Sequence, residues 1–359
     1  MPYIVLHMQK QKLIDYLLEH NKKQSEEFST PDAALQRRKY RSEHPTEIAA
    51  WKCMDGRLHL PIMTEIPLGI IQPFRNIGGQ FDLGWPFFGL LIKEWIDYAL
   101  SRGRDSIILV TYHFSKSDQH LGCKGFAYDT EAAKKFTANL VSQVERVFGE
   151  RHTVVYPIQI GIETDEDALI LHGTNGDMLD LGKETVPSTE VLRLRLRKLF
   201  PDMRAQMLED LLPLVLGNID HISEVRKEKR PLQDIDHKEQ VLGIGRGFDW
   251  LHLHNKALLV GPYSYNLQDP ISKAAGILLE NIKKGQTPEK EGVVLMSSAV
   301  YRDEVGIEHQ LAIEKAISLA KFGVEIIKEQ VPDLVQYLSV LVGTVDLNTR
   351  AFKRIPFEW

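Results

Sequence analysis

Apolar and polar positions along the chain follow two periods, one typical of buried strands and one typical of amphipathic helices. "EIAAWKC" at 47–53 is a strand candidate, and "DSIILVTYH" at 105–113 is an apolar run with several β-branched residues, which predicts a buried strand. Between them, "WPFFGLLIKEWIDYALSRG" predicts a helix that ends at a glycine. "DTEAAKKFTANLVSQVERVFG" at 129–149 predicts another, with an aspartate cap and a glycine stop.

The alternation of strands and helices predicts an α/β fold, with a mostly parallel sheet flanked by helices. From 241 onward the strand, loop and helix order repeats, followed by a strand at "GVVLMSSAV" and two further predicted helices. This repeated order predicts a weak internal duplication, with two related lobes. Ligands in such folds gather at the carboxyl ends of strands, where both Cys53 and His113 fall.

Three segments make up the predicted domain organisation. Residues 1–35 form a short helical lead-in, in which Thr30 and Pro31 are placed to start a second helix. The first lobe covers 36–240 and the second covers 241–359. The charged stretch at 224–240 has few large apolar residues and is the best candidate for a linker.

The chain has 359 residues, of which 43% are hydrophobic and 26% are charged. This composition is that of an ordinary globular protein. A net charge of -5 gives no basic footprint, so nucleic acid is not the expected partner. We find no window long enough to span a membrane, and the apolar run at the amino terminus is too short for a signal peptide. A cytoplasmic location is therefore expected.

Cys53 and Cys123 are the only cysteines, too few for a disulfide scaffold. Taken singly, each is best explained as a small buried hydrophobe. Taken together, they offer two thiolates, and His113 or His120 in "VTYHFSKSDQHLGCKGF" offers an imidazole. Two thiolates and one imidazole would hold Zn²⁺ with a fourth position open, the arrangement of a catalytic zinc site.

Asp55 and Arg57 follow Cys53 at alternate positions in "KCMDGR". In an extended segment, alternate side chains point the same way, so both would lie on the metal side. An ionised Asp55 only accepts hydrogen bonds and would favour a zinc-bound hydroxide that keeps its proton. Arg57 could hold that carboxylate in a bidentate pair and keep it from taking the open position.

These residues, taken in order, resemble the β-class carbonic anhydrases: Cys-x-Asp-x-Arg, then "FRNIGG" at 74–79, then a buried strand ending in histidine, and a following Cys-x-Gly. The segments "RRKYRSEHPTEIAAWKCMDGR", "TYHFS", "HLGCKGF" and "GIGRGFDWLH" with "ALLVGPYS" are similar to the carboxysome shell branch of that class. This likeness covers roughly residues 36–359.

The resemblance implies a zinc-bearing catalytic lobe at 36–240, a degenerate lobe without metal ligands at 241–359, and reversible hydration of carbon dioxide to bicarbonate by zinc-bound hydroxide. It also implies a homodimer and a carboxysome-like compartment. The long amino-terminal extension typical of that branch is missing here, which argues against packaging into a shell. Within the resemblance, ordinary β-class enzymes would select His120 as the third ligand and the carboxysomal branch would select His113.

We favour Cys53, His113 and Cys123 as the ligand set. His113 is preferred to His120 because the end of a buried strand is a more rigid platform than a loop. Two alternative functions remain: hydrolysis of carbon disulfide or carbonyl sulfide on the same fold, and a non-catalytic scaffold stabilised by zinc. His252 and His254 could also bind a metal, but no cysteine or carboxylate is aligned with them. His59 could relay protons, although nothing in the sequence fixes its distance from the metal.

Overall fold

A computed structural model describes residues 2–149, 154–184, 188–231, 235–252 and 256–359. It begins with two helices, α1 (Pro2–Ser29) and α2 (Pro31–Glu43). The side chain of Thr30 accepts a hydrogen bond from the Ala33 amide at 3.2 Å, so the predicted cap of α2 is confirmed. Apolar residues of α1 pack against the second lobe, and Asn21 hydrogen-bonds to the backbone of residues 350 and 352.

The first lobe is built on a six-stranded sheet in the order β2-β1-β3-β4-β5-β6. The first four strands in that order are parallel, and the last two are antiparallel. Their bounds are β1 (Glu47–Cys53), β2 (Ile71–Asn76), β3 (Ser106–Phe114), β4 (Val155–Glu163), β5 (Ala168–His172) and β6 (Met178–Asp180).

The second lobe is built on a five-stranded sheet with the corresponding order β8-β7-β9-β10-β11. All its pairings are parallel except the last, between β10 and β11. The bounds are β7 (Val241–Gly245), β8 (Ala257–Val260), β9 (Val293–Tyr301), β10 (Leu338–Asp346) and β11 (Phe352–Ile355). The predicted α/β class with two related, mostly parallel lobes is confirmed.

Helices cover both sheets and end largely where the sequence predicts. In the helix at 130–148, the Asp129 side chain accepts from the Ala132 amide at 2.9 Å, and Gly149 follows with φ of 111°. Within the described residues, none of the helices has both the length and the apolar character of a membrane span. The remaining helices are α3 (Leu60–Met63), α4 (Pro86–Leu100), α5 (Thr130–Phe148), α6 (Thr189–Leu199), α7 (Ala205–Glu228), α8 (Gln268–Lys283) and α9 (Ile307–Gln330).

One prediction for the carboxyl-terminal region is wrong. Two helices were expected after "GVVLMSSAV", but α9 is followed only by a short 3-10 helix, Pro332–Tyr337, and then by the strand β10. Leu338–Asp346 pairs along its whole length with β9, and most of its residues are buried. A continuous apolar run fits either a buried helix or a buried strand, and here the neighbouring strand decides.

The two lobes are joined by backbone hydrogen bonds directly after β1. The Leu259 amide donates to Met54 O at 2.7 Å, and the Gly56 amide donates to Ala257 O at 2.9 Å. A Cβ atom at Gly56 would lie 2.4 Å from that Ala257 oxygen, so only glycine allows this approach. The segment that follows Cys53 is therefore held by the second lobe.

Candidate metal centre

Two adjacent parallel strands and one loop bring Cys53, His113 and Cys123 together. Cys53 ends β1, His113 lies next to the end of β3, and Cys123 lies in the loop before α5. Their potential ligand atoms all lie within 4.8 Å of one another, and the two Sγ atoms are 3.9 Å apart. All three side chains are buried. Among the described residues, this is the only such group of three able to hold a metal ion.

These three side chains are better explained as metal ligands than as ordinary residues of the hydrophobic core. Within the described part of the chain, neither ring nitrogen of His113 has a hydrogen-bond partner, although both are buried. Pairing with the Cys123 thiol, helped by nearby His113, lowers the pKa of Cys53 well below its ordinary value despite burial. The same pairing raises the pKa of Cys123. Two sulfurs and an imidazole suit Zn²⁺ in type and number.

Asp55 and Arg57 form a buried ion pair beside this cluster. Arg57 Nη2 donates to Asp55 Oδ2 at 2.6 Å, and Arg57 Nε is 3.0–3.1 Å from both carboxylate oxygens. Burial opposes ionisation of the carboxylate, but the charge and hydrogen bonds of Arg57 outweigh it and hold the pKa of Asp55 far below its ordinary value. Asp55 is therefore an ionised carboxylate with a fixed orientation.

The remaining donors of Arg57 tie the site to two other segments. Nη2 donates to Leu121 O at 2.9 Å, just before Cys123, and Nη1 donates to Ile235 O at 2.7 Å. Arg75, in "FRNIGG", supports the same region from behind, since its Nη1 donates to Asp55 O at 2.7 Å. Arg57 therefore fixes the orientation of Asp55. The same guanidinium group also holds the loop that carries Cys123 and the segment that connects the two lobes.

A cavity of about 280 Å³ opens onto Cys53, His113 and Asp55. Its far wall belongs to the second lobe and includes Leu258 of β8 and Ile277 of α8. An ion pair between Lys124 and Glu280 crosses from the first lobe to α8 at the rim. The pocket is therefore completed only where the two lobes meet.

His237 and Glu239 also line this pocket, although no sequence signal marked them as site residues. The predicted linker at 224–240 places His237 Nε2 3.4 Å from Arg57 Nη2, while its Nδ1 lies 2.6 Å from Glu239 Oε1. Asn281 Nδ2 donates to the other Glu239 oxygen at 2.8 Å. A His-x-Glu spacing in a charged stretch is too common to single out, and the contact with Arg57 spans 180 positions.

The other histidines considered from sequence lie apart from the cluster. His120 lines the cavity mouth, but its side chain is 78% exposed and is paired with Asp118. His59 is buried elsewhere, 3.2 Å from Asp249 O, with its ring 4.6 Å from that of His252. His254 lies outside the described residues. The geometry thus brings together Cys53, His113 and Cys123 and leaves His120 outside the group.

Comparison with known proteins finds relatives that share one description. No family model matches the chain. Over 238 residues it is 26% identical to a carboxysome shell carbonic anhydrase of Prochlorococcus marinus subsp. pastoris, covering 56% of this chain and 46% of that protein. The protein of the same name from Hydrogenovibrio crunogenus is 25% identical over 276 residues, covering 64% and 51%. That of Halothiobacillus neapolitanus is 23% identical over 252 residues, covering 57% and 48%.

The matched region spans about half the length of these curated relatives. Five proteins that match the chain share the same description, at 23–26% identity. The fold, with two related parallel sheets, and the Cys-His-Cys cluster agree with that resemblance. By sequence, this chain is similar to the carboxysome shell carbonic anhydrases over about half of their length.

Proposed function

We propose that this chain is a zinc-dependent carbonic anhydrase that interconverts carbon dioxide and bicarbonate. The observation that carries the proposal is the buried Cys53, His113 and Cys123 cluster beside the Asp55–Arg57 pair and an open cavity, with imidazole nitrogens that have no hydrogen-bond partner among the described residues. The names of the relatives point to the same reaction. When bound by such ligands, zinc supplies Lewis acidity that lowers the pKa of water.

Asp55 has the properties that this chemistry asks of a neighbouring carboxylate. It is ionised, accepts hydrogen bonds only, and is restrained by Arg57 on both oxygens. A water molecule beside it would donate a hydrogen bond to the carboxylate and present its lone pair elsewhere. The pair also keeps Asp55 from swinging toward the thiols, so that it orients the nucleophile instead of acting as a ligand.

The wall opposite the thiols can take an uncharged, linear substrate. Met54, Leu258 and Ile277 supply apolar surface to the pocket, and carbon dioxide carries no net charge. Several ionised side chains line the mouth, where bicarbonate and a proton would leave toward solvent. The apolar wall comes from both lobes, so we infer that one chain carries one complete site.

The experiment with the most power measures zinc content and carbon dioxide hydration on the same purified protein. We expect about one zinc per chain and rapid hydration in the unmodified protein. His113→Ala should lose the metal and the activity, whereas His120→Ala, a change of the same kind at the pocket mouth, should retain the metal. Metal retained by His113→Ala and lost by His120→Ala would reverse the ligand assignment. Loss by neither would overturn the proposed site.

The same protein preparation also tests the substrate and the assembly. Faster turnover of carbonyl sulfide or carbon disulfide than of carbon dioxide would replace the proposed activity by a hydrolase on the same fold. The relatives are described as carboxysome shell proteins, and for this chain we propose a cytoplasmic homodimer with access to such a compartment. Light scattering of the purified protein distinguishes a dimer from a monomer.

A further inference from the structure

A second pocket lies in the second lobe at the position that corresponds to the candidate metal centre. Strands β7 and β9 occupy the same places in their sheet as β1 and β3 do in the first. Their sequences, "VLGIG" and "VVLMSSAVY", contain no cysteine, histidine or carboxylate. At their carboxyl ends a cavity of about 80 Å³ is lined by residues 245–249, Val300 and Arg302. The counterpart of the metal centre has therefore kept a cavity while lacking metal ligands.

Arginines dominate the lining of this second pocket. Arg246 follows β7, Arg302 follows β9, Arg350 lies in the turn between β10 and β11, and Arg75 reaches in from β2 of the first lobe. Asp249 is the only carboxylate among the described lining residues. The described lining therefore carries an excess of three positive charges. Such an excess within a small, partly enclosed space attracts anions strongly.

Much of the hydrogen-bonding capacity of these guanidinium groups is not used by carboxylates. Arg350 Nη1 pairs with Asp249 at 2.9 Å, but Arg350 Nε is buried and has no partner within the described residues. Arg75 is 8% exposed and donates to backbone carbonyls, at 2.7 Å to Asp55 O and 3.0 Å to Leu58 O. Arg246 interacts with the buried Tyr263 hydroxyl. A buried donor without a partner, such as Arg350 Nε, is costly, and together with the excess positive charge it points to an acceptor that fills this space.

We propose that the second pocket binds a small, multiply charged oxyanion of the phosphate class. The fork of a guanidinium group matches pairs of phosphate oxygens, and several arginines converge here from different strands. At about 10–15 Å³ of such cavity volume per water, the space suits a group of about five to eight non-hydrogen atoms. Bicarbonate carries one charge and would balance this lining less well than a phosphate group does. The proposal is independent of the activity of the first lobe.

The test follows the melting temperature of the full-length protein while inorganic phosphate replaces chloride at constant ionic strength. A ligand that binds only the folded state raises the melting temperature in a saturable way. We expect such a curve with phosphate and a weaker response to bicarbonate. Removing one charge-assisted contact should raise the phosphate concentration needed by about tenfold or more, so Arg302→Gln and Arg246→Gln should both shift the curve. Arg302 is exposed, and its replacement should not disturb folding.

Three controls separate this pocket from other sources of the effect. Arg197→Gln, on the exposed face of α6, should leave the curve unchanged. Lys124→Gln, at the rim of the first pocket, should also leave it unchanged, and so should removal of the metal with a chelator. The proposal would be overturned if the rise in melting temperature with phosphate persisted in both Arg302→Gln and Arg246→Gln. It would also be overturned if added chloride alone produced the same saturable rise. Tighter binding of bicarbonate than of phosphate would overturn the assigned ligand class.

Comparing inorganic phosphate with a small phosphomonoester identifies the form of the ligand. If the pocket holds a free ion, the ester should need a higher concentration, because its added group meets the enclosing walls. If the pocket holds the phosphate end of a larger metabolite, the ester should bind at least as tightly. Both results depend on Arg246 and Arg302 if the site is correctly placed, and the absence of any saturable response to either compound would refute it.

Discussion

The two pockets lie at equivalent ends of equivalent sheets, yet their charges are opposite. The described lining of the first carries five carboxylates and two lysines: Asp55, Asp118, Asp236, Glu239 and Glu280, with Lys124 and Lys284. The second carries four arginines and a single aspartate. Since the strand order is shared, the difference comes from side chains at or after the strand ends, in the segment before β7 and at the end of α8. The fold supplies the position of a site, and a few side chains decide whether it attracts a cation or an anion.

Removing one thiolate from the first lobe should have the largest effect on the difference between the two pockets. We expect Cys123→Ser to lose bound metal and hydration activity almost completely, because a hydroxyl is a poor substitute for a thiolate on zinc. The Arg246→Gln variant, which is changed only in the second pocket, should retain the metal bound in the first lobe. Elemental analysis of both purified variants makes the measurement, and equal metal contents would show that the two lobes do not differ as described.

Neutralising Asp55 should give the next largest effect. Asp55→Asn keeps the shape of the side chain but loses the negative charge and replaces one acceptor oxygen by a donor, so the nucleophile is no longer oriented and turnover should fall by about 100-fold or more while the metal is retained. Stopped-flow hydration assays give the rate. Asp118→Asn, at the exposed edge of the same pocket, is the matched control and should change turnover far less. Comparable losses in the two variants would mean that pocket charge alone, and not the pair with Arg57, supports the reaction.

The junction between the lobes can be tested by adding one methyl group. Gly56→Ala places a Cβ atom 2.4 Å from Ala257 O, and we expect a loss of about 1–3 kcal/mol in the free energy of unfolding. Gly276→Ala is the matched change inside α8, where nothing lies within 4 Å of the new atom. It should be neutral or stabilising, by up to about 1 kcal/mol. Denaturant unfolding of both variants measures the difference, and equal stabilities would argue against a tight junction.

A smaller effect should come from the acidic turn between β4 and β5, which closes the first sheet. Burial raises the pKa of Glu163 from 4.5 to about 7. The folded state therefore holds a proton that the unfolded state has lost, and stability falls as pH rises from about 4.5 to about 7. Glu163→Gln should remove this slope and stabilise the protein at pH 8 by on the order of 1–3 kcal/mol.

Glu166 in the same turn provides a control of opposite sign. Its hydrogen bonds from Arg226 lower the pKa of Glu166, so its contribution is present at neutral pH and is lost as pH falls. Glu166→Gln should therefore be slightly destabilising at neutral pH. Thermal unfolding across the pH range separates the two variants, and parallel curves would contradict the assignment of Glu163 as the buried titrating group.

Local sequence signals predicted the parts of the molecule that depend on neighbouring residues. The apolar runs around Cys53 and His113 predicted β1 and β3, and the cap at Asp129 and the stop at Gly149 predicted α5. Parallel strands that are adjacent in a sheet must end on the same side, and that rule placed Cys53 near His113. Asp55 and Arg57 are two residues apart, so their pairing too was within reach of sequence reasoning.

Features that depend on distant partners were beyond the sequence. Strand β10 was not predicted, because its apolar run carries no period that separates a strand from a helix, and only its pairing with β9 decides. His237 and Glu239 were placed in a linker because nothing local marks their contact with Arg57. Arg75 and Arg350 lie far apart along the chain, and only the packing of the two lobes brings them to one pocket.

The backbone contacts of Met54 and Gly56 with β8 have an evolutionary consequence. After a gene duplication, a copy that has lost its chemistry is usually free to decay or to be deleted. Here deletion of the second copy would strip hydrogen bonds from the segment that carries Asp55 and remove one wall of the first pocket. The shape of the first pocket therefore constrains the fold of the second lobe, while the lining of the second pocket is free to acquire another ligand.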